Sequence, residues 1–291
     1  VGHPRHDGYG SIGAVPRLDN PPGWTVVLPF KGGPAAKSRL GAPPGLAVAM
    51  AVDCIQACTA AAPVRQVVVV CPAPVPTAFT ATAARIVVEN RPGIGVALRR
   101  AQQLVSGRCA VLPADLAALT PADVVALLDL VEAGPGGLTC FVPDAQGSGT
   151  VAVAAGDAAR LVLRFGPGSA AAHRAAGCVQ LSLPLPRLRR DVDTAADLFS
   201  AHELGLGAHT RRIVRPVQAT VYSFDPATGT GAVLTDDGVR LPMSATALSG
   251  SGLRLLRPGQ RVSCLLVGDP DSTDAQVAAV RIAGIGDPPL T

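Results

Sequence analysis

Three aspartates, three cations and two hydroxyls carry the residue types in this chain that can do chemistry together. Asp115 closes the stretch Cys109-Ala-Val-Leu-Pro-Ala-Asp115, a short apolar run ahead of a Thr120-Pro121-Ala122-Asp123 helix start. A carboxylate just beyond the carboxyl end of a buried parallel strand is well placed to hold a hard cation such as magnesium against a phosphate; it also suits a simple turn cap. In Asp191-Val192-Asp193-Thr194 an extended backbone projects Asp191 and Asp193 to one side, and such carboxylates repel unless a cation or proton lies between them. The loop from Phe30 to Leu40 carries Lys31, Lys37 and Arg39 among glycines, which suits a polyphosphate, although ordinary surface charge has the same look. It lacks the spacing of a P-loop. Thr150 and Ser169, in Gly147-Ser148-Gly149-Thr150 and Gly166-Pro167-Gly168-Ser169, offer backbone and hydroxyl donors to an anion, or serve as plain turns.

Strands alternating with helices must position these groups. The pattern predicts strands at 25–29, 66–71, 85–88, 109–113 and 139–142, and helices at 46–59, 96–105, 122–132 and 195–204, with Thr194 and Asp197 as an N-cap signature and His173 on a further helix. That alternation predicts βαβ units and a mainly parallel sheet with helices on both faces. Beyond residue 216 five β-type runs, 217–224, 231–235, 239–242, 261–267 and 276–282, predict a small all-β barrel of OB type.

Composition narrows the class. With 48% hydrophobic and 16% charged residues among 291, the chain has a sizeable core, built from Val, Ala and Leu because aromatics are only 3%. A net charge of +4 is too small to imply nucleic acid by itself. Seven cysteines, mostly inside apolar runs, fit buried free thiols better than disulfides, and Cys54 with Cys58 lacks the second ligand pair of a zinc site. No apolar run reaches a membrane span, and the polar, Gly/Pro-rich start lacks a secretion signal; a cytoplasmic protein is the expectation. The expected division is a tail at 1–22 holding His3 and His6, an α/β domain at 23–210, a linker at 211–216, the barrel at 217–285 and a tail at 286–291.

In order along residues 24–204, LPFKGGPAAKSRL (28–40), AMAVD (49–53), LPADLAALTPADV (112–124), GSGTVAV (147–153), RFGPGSAAAH (164–173) and DVDTAADL (191–198) resemble the guanylyltransferases of coenzyme F-420 biosynthesis. Those enzymes act on 2-phospho-L-lactate or phosphoenolpyruvate and have a Rossmann-like nucleotidyltransferase fold. The resemblance implies that Asp115, Asp191 and Asp193 hold catalytic Mg2+, that Lys31, Lys37 and Arg39 contact GTP, and that Thr150, Gly166 and Ser169 hold the carboxylate end of the phospho-acid. His173 matches a family position that packing or an auxiliary hydrogen bond explains as well as catalysis does. Gly93-Ile94-Gly95-Val96-Ala97-Leu98 stands where the family usually has Gly-Leu-Asn-x-Ala-Leu, so an amide expected at the nucleoside is missing. The alternative is a weakened homologue that binds nucleotide or nucleic acid as a regulator.

Residues 220–248 look like a cold-shock domain, which would imply single-stranded nucleic-acid binding. The residues argue against it. From 216 onward the aromatics are Tyr222 and Phe224, and five arginines face seven aspartates, a net of −2, where such binding needs stacking rings and a basic groove. The expectation is a barrel that contacts its own catalytic domain or another protein.

Overall fold

The computed structural model describes residues 23–31, 40, 44–91, 93–134, 137–182, 184–268 and 275–283. The readings at 1–22 (with His3 and His6), Lys37, Arg39 and 286–291 fall outside them.

The first part is a seven-stranded sheet. Its strands are β1 (Trp24–Pro29), β2 (Val64–Cys71), β3 (Arg85–Val88), β4 (Cys109–Val111), β5 (Cys140–Pro143), β6 (Thr150–Ala155) and β7 (Val179–Gln180). The spatial order is β3-β2-β1-β4-β6-β5-β7. The helices are α1 (Pro44–Ala60), α2 (Thr77–Thr80), α3 (Ile94–Leu104), α4 (Pro121–Ala133), α5 (Ser169–Ala175), α6 (Ala195–Leu204) and α7 (Ala208–Ile213). Central strands are valine-rich because both of their faces are covered. Trp24, Val26 and Leu28 of β1 pack in the cluster that takes in α1 and α4, while Val27 joins Leu98 and Leu104 of α3 on the opposite face. The expected helices on both faces are therefore present.

One strand runs against the rest. β6 pairs antiparallel with both β4 and β5, whereas β1, β2, β3 and β4 form parallel pairs. Apolar runs do not declare direction, so the sequence pattern carried no sign of this reversal.

The second part is a closed five-stranded barrel of β8 (Val214–Asp225), β9 (Thr230–Thr235), β10 (Arg240–Met243), β11 (Arg261–Val267) and β12 (Gln276–Ile282), in the order β10-β12-β11-β8-β9. β9 and β10 pair antiparallel while β10 and β12 close it in parallel, a Greek-key arrangement of OB type. Val262, Cys264 and Leu266 of β11 fill its interior. Leu265 and Val267, on the other face of β11, pack with Val192, Ala195, Leu198 and Phe199 of the first part. Both faces of β11 are thus buried.

The linker reading at 211–216 is corrected. Residues 211–213 finish α7, and Val214–Pro216 open β8 with no gap between them. The segment lacks glycine, and its Ile213-Val214 pair favours regular structure. α7 is also fastened to α1: the Asp53 carboxylate accepts from the N–H groups of His209 (2.9 Å) and Thr210 (2.8 Å), satisfying donors at the helix start. Among the described residues, no helix is long and apolar enough to cross a membrane. All seven cysteines are free and buried, as composition suggested.

Candidate active site

Strand direction assembles the site. β1 and β4 are parallel neighbours, with Val27 opposite Val111, so Lys31 just past β1 and Asp115 just past β4 leave the same rim of the sheet. This carboxyl rim is where open α/β sheets bind ligands. Because β6 runs backward, its first residue, Thr150, arrives at that rim instead of leaving from the far side; Val153 lies opposite Val111.

The turn bearing Asp115 is pinned from below and from the side. Leu112 N–H donates to the Val27 carbonyl at 3.0 Å, extending the ladder past β4. Cys54, buried on α1, donates its thiol to the Leu116 carbonyl at 3.5 Å. Burial pushes the Cys54 thiol well up, with Cys58 and Asp115 nearby adding to the effect, so it stays a donor at neutral pH. Asp115 is half-buried, and α4 follows behind a capping box of Thr120 and Asp123.

The second acidic stretch lies against this turn. Val192 N–H donates to the Asp115 backbone carbonyl at 3.2 Å. Val192 is 0% exposed in the core, between half-buried Asp191 and exposed Asp193, which is the alternation expected of an extended segment with its two carboxylates turned away from the core. Asp197 gathers the end of the segment: one oxygen accepts from Asp193 N–H (3.3 Å) and Thr194 N–H (2.9 Å), and the other pairs with Arg190 at 3.3 Å. The barrel supplies the rest of the cap. Ser249 Oγ accepts from Ala195 N–H at 3.1 Å and the Ser249 carbonyl from Ala196 N–H at 3.2 Å.

A third cluster surrounds Thr150. The turn between β5 and β6 is closed by Asp144, whose carboxylate accepts from Ser148 N–H (2.9 Å) and Gly149 N–H (2.8 Å). A Cβ at Gly149 would lie 2.5 Å from an Asp144 oxygen, so any side chain there would displace the carboxylate from its N–H donors. Arg189 braces the turn by donating to the carbonyls of Pro143 (3.1 Å) and Asp144 (2.7 Å), which ties it to the chain entering Asp191. Thr150 Oγ1 lies 3.0 Å from His173 Nδ1, and His173 Nε2 accepts from Arg164 N–H at 3.1 Å. Gly166 has φ +136°, and Ser169 opens α5, whose Ala170 N–H donates to the Ser148 carbonyl at 3.1 Å. Thr150, Ser169 and His173 are all buried. Burial also holds the His173 imidazole below its usual range.

Asp115 and the Asp191–Asp193 segment thus adjoin through backbone, His173 ties Thr150 to the chain at Arg164, and Ser169 N–H donates to the Gly166 carbonyl at 3.1 Å. Among the described residues, no group of three His, Cys, Asp or Glu side chains is gathered closely enough to cage a metal. Magnesium asks for less: one or two carboxylates plus substrate phosphates suffice, and oxygen donors on a half-buried turn fit that chemistry. Asp53, Cys54, Arg189 and Ser249 were not singled out as site residues, because each acts on backbone groups remote in sequence, nor was Asp144, which closes its own turn.

Comparison with known proteins finds relatives over about two thirds of this chain. No protein-family model matches the chain. The phosphoenolpyruvate guanylyltransferase of Salinispora arenicola is 45% identical over 196 residues, covering 64% of this chain and 91% of that protein. The enzyme of the same name from Streptomyces avermitilis is 43% identical over 201 residues, covering 64% and 92%. A solved structure from Desulfovibrio desulfuricans, named for a nucleotide-diphospho-sugar transferase, shares the fold with TM-score 0.50 at 15% identity, over 65% of this chain and 92% of that one. A nucleotidyltransferase-like sheet, the acidic stretches at its carboxyl rim and these identities lead to one conclusion: this chain belongs to the phosphoenolpyruvate guanylyltransferase family.

Proposed function

We propose that this protein joins GMP from GTP to phosphoenolpyruvate, or to 2-phospho-L-lactate, with release of pyrophosphate, as a step of coenzyme F-420 biosynthesis. The observation that carries the reading is the Val192 N–H bond to the Asp115 carbonyl, which sets two acidic stretches side by side at the rim where Thr150 also arrives. A phosphate oxygen of the acid attacks the α-phosphorus of GTP, one P–O bond forms, and the bond to the β-phosphate breaks in line. The attacking phosphate is already ionised near neutral pH, so no general base is needed. Catalysis is then positioning and charge neutralisation. Asp115, Asp191 and Asp193 would hold magnesium, which supplies neutralisation for the triphosphate and the departing pyrophosphate. Lys31, with Lys37 and Arg39, adds cationic contacts to the nucleotide, and Thr150, Gly166 and Ser169 receive the acid's carboxylate.

Pyrophosphate release from GTP, magnesium and each acid tests this. Release with phosphoenolpyruvate, abolished by Asp115→Ala, supports the reading; no release with any nucleotide and acid pairing from folded protein sinks it. Repeating the assay across nucleotides reads out the base preference that Gly95 leaves open.

For the barrel we propose a role within the chain: bracing α6 and the segment before it. Its cold-shock-like outer face offers little to a base. Arg240 lies 4.1 Å over the ring of Tyr222, and Phe224 packs against the barrel core. The open groove there, about 410 Å³, is lined by Ser223, Phe224, Asp225, Thr230, Arg240 and Pro242, so it offers one ring and one cation, with Asp225 opposing the charge, and no stack of rings. Binding of labelled single strands at low salt would overturn this part of the reading.

A further inference from the structure

We propose that His173 is a positioning residue for the acceptor's carboxylate, held as a neutral imidazole with its proton on Nδ1, so that Thr150 presents its hydroxyl hydrogen outward to the substrate. The inference rests on the acceptor reading of Thr150, Gly166 and Ser169 given above.

The tautomer follows from the partners. A backbone N–H can only donate, so the Arg164 N–H, 3.1 Å from Nε2, requires Nε2 to carry a lone pair. The ring is neutral only if Nδ1 then carries the proton, and Nδ1 lies 3.0 Å from Thr150 Oγ1. The Ser169 and Val162 carbonyls also approach the ring, but with Nε2 engaged by the Arg164 N–H the proton sits on Nδ1, and the hydroxyl accepts from it. Its own hydrogen has no acceptor among the described residues, and a carboxylate, which only accepts, is the group that suits it. The reverse polarity would turn the threonine hydrogen inward and leave a lone pair facing an anion.

One ring thereby links three remote pieces. Thr150 begins β6, Arg164 stands two residues before Gly166, and Ser169 lies one turn ahead of His173 on the same face of α5. The ring stacks on Phe141 (centroids 5.3 Å apart, planes at 22°) and meets the edge of Phe165 at 5.8 Å. Apolar packing alone would be served as well by a phenylalanine, so the two nitrogen contacts distinguish a positioning role from a filling one.

The experiment measures pyrophosphate release against phosphoenolpyruvate at saturating GTP, together with calorimetric binding of phosphoenolpyruvate, on full-length protein. His173→Phe keeps the aromatic contacts and removes both nitrogens; we expect the KM for phosphoenolpyruvate to rise about tenfold, with kcat and the KM for GTP within about twofold. His173→Asn, whose amide reaches the Nδ1 position, should recover most of that loss, and His173→Gln, which reaches the Nε2 position, less. Against a Thr150→Val background, His173→Phe should add nothing further. An unchanged phosphoenolpyruvate KM, an equal rise in both KM values, or the full factor persisting in the Thr150→Val background would overturn the proposal. If the phenylalanine variant does not fold, equal KM values for the Asn and Gln variants overturn it. Wild-type protein that binds phosphoenolpyruvate without releasing pyrophosphate overturns the guanylyl-transfer reading instead, and calorimetry of the same variants still decides the role of His173.

Discussion

At the scale of single residues, the decisive groups work through what holds them. Asp115 offers a carboxylate on a turn whose backbone carbonyls are engaged by Cys54 and Val192, so the turn has anchors besides the carboxylate itself. Asp115→Asn should therefore keep the fold, with an unchanged circular dichroism spectrum and melting temperature. Its pyrophosphate release should fall by a factor of about 100 or more, the loss typical when one preorganised electrostatic contact is removed. His173 makes a different prediction. Its imidazole is held below the ordinary value of 6.5 by burial, while the unfolded chain titrates normally. Above that value neither state binds the proton and the group adds no pH dependence. As pH falls below it, the unfolded state takes up the proton first, so stability declines with acidification. Half-buried His202, depressed for the same reason, adds to the slope. Urea midpoints at about pH 7.5 and about pH 5.5 should show the decline, and His173→Phe should remove part of it.

Elements explain why these residues meet. Two helices start with the same device, a threonine and an aspartate three residues later, at Thr120 and at Thr194. Thr120→Ala and Thr194→Ala should each cost about 1 kcal/mol in chemical unfolding. Only Thr194→Ala should also raise the magnesium concentration needed for half-maximal pyrophosphate release, because Thr194 directly follows Asp193 and shares its Asp197 anchor. Both caps were legible in the sequence, since a capping box is local and its spacing fixed. So were Arg85–Val88, Ala195–Leu204, Arg261–Val267 and Gln276–Ile282, whose bounds agree residue for residue with expectation. The direction of β6 was not legible. It depends on which strands lie beside Val151-Ala-Val-Ala, and nothing within those residues encodes that. The run Arg211–Pro216 misled for a related reason: arginines and a proline read as a hinge, yet the helix there is secured by Asp53, more than a hundred and fifty positions earlier.

Over the whole molecule, sheet and barrel share a seam. Leu265 and Val267 of the barrel enter one cluster with Val192 and Phe199, and Arg281 both pairs with Glu203 and lies 4.9 Å over the Phe199 ring. Leu265→Ala should cost about 3 kcal/mol and lower the unfolding of both parts together, visible as a single calorimetric transition displaced as a unit. The buried cysteines extend this point from thermodynamics to time. They are spread through the interior: Cys54, Cys58, Cys71 and Cys140 in the cluster of α1 and α4, Cys109 and Cys178 across the sheet, and Cys264 inside the barrel. Burial pushes Cys58, Cys109 and Cys264 up to about 12, so none offers a thiolate at neutral pH until its surroundings open. Each thiol is in effect a clock started by local opening. Mass spectra of protein pulsed with an alkylating reagent would record the order in which barrel and sheet come apart, and a seam of this kind makes Cys264 keep time with the rest.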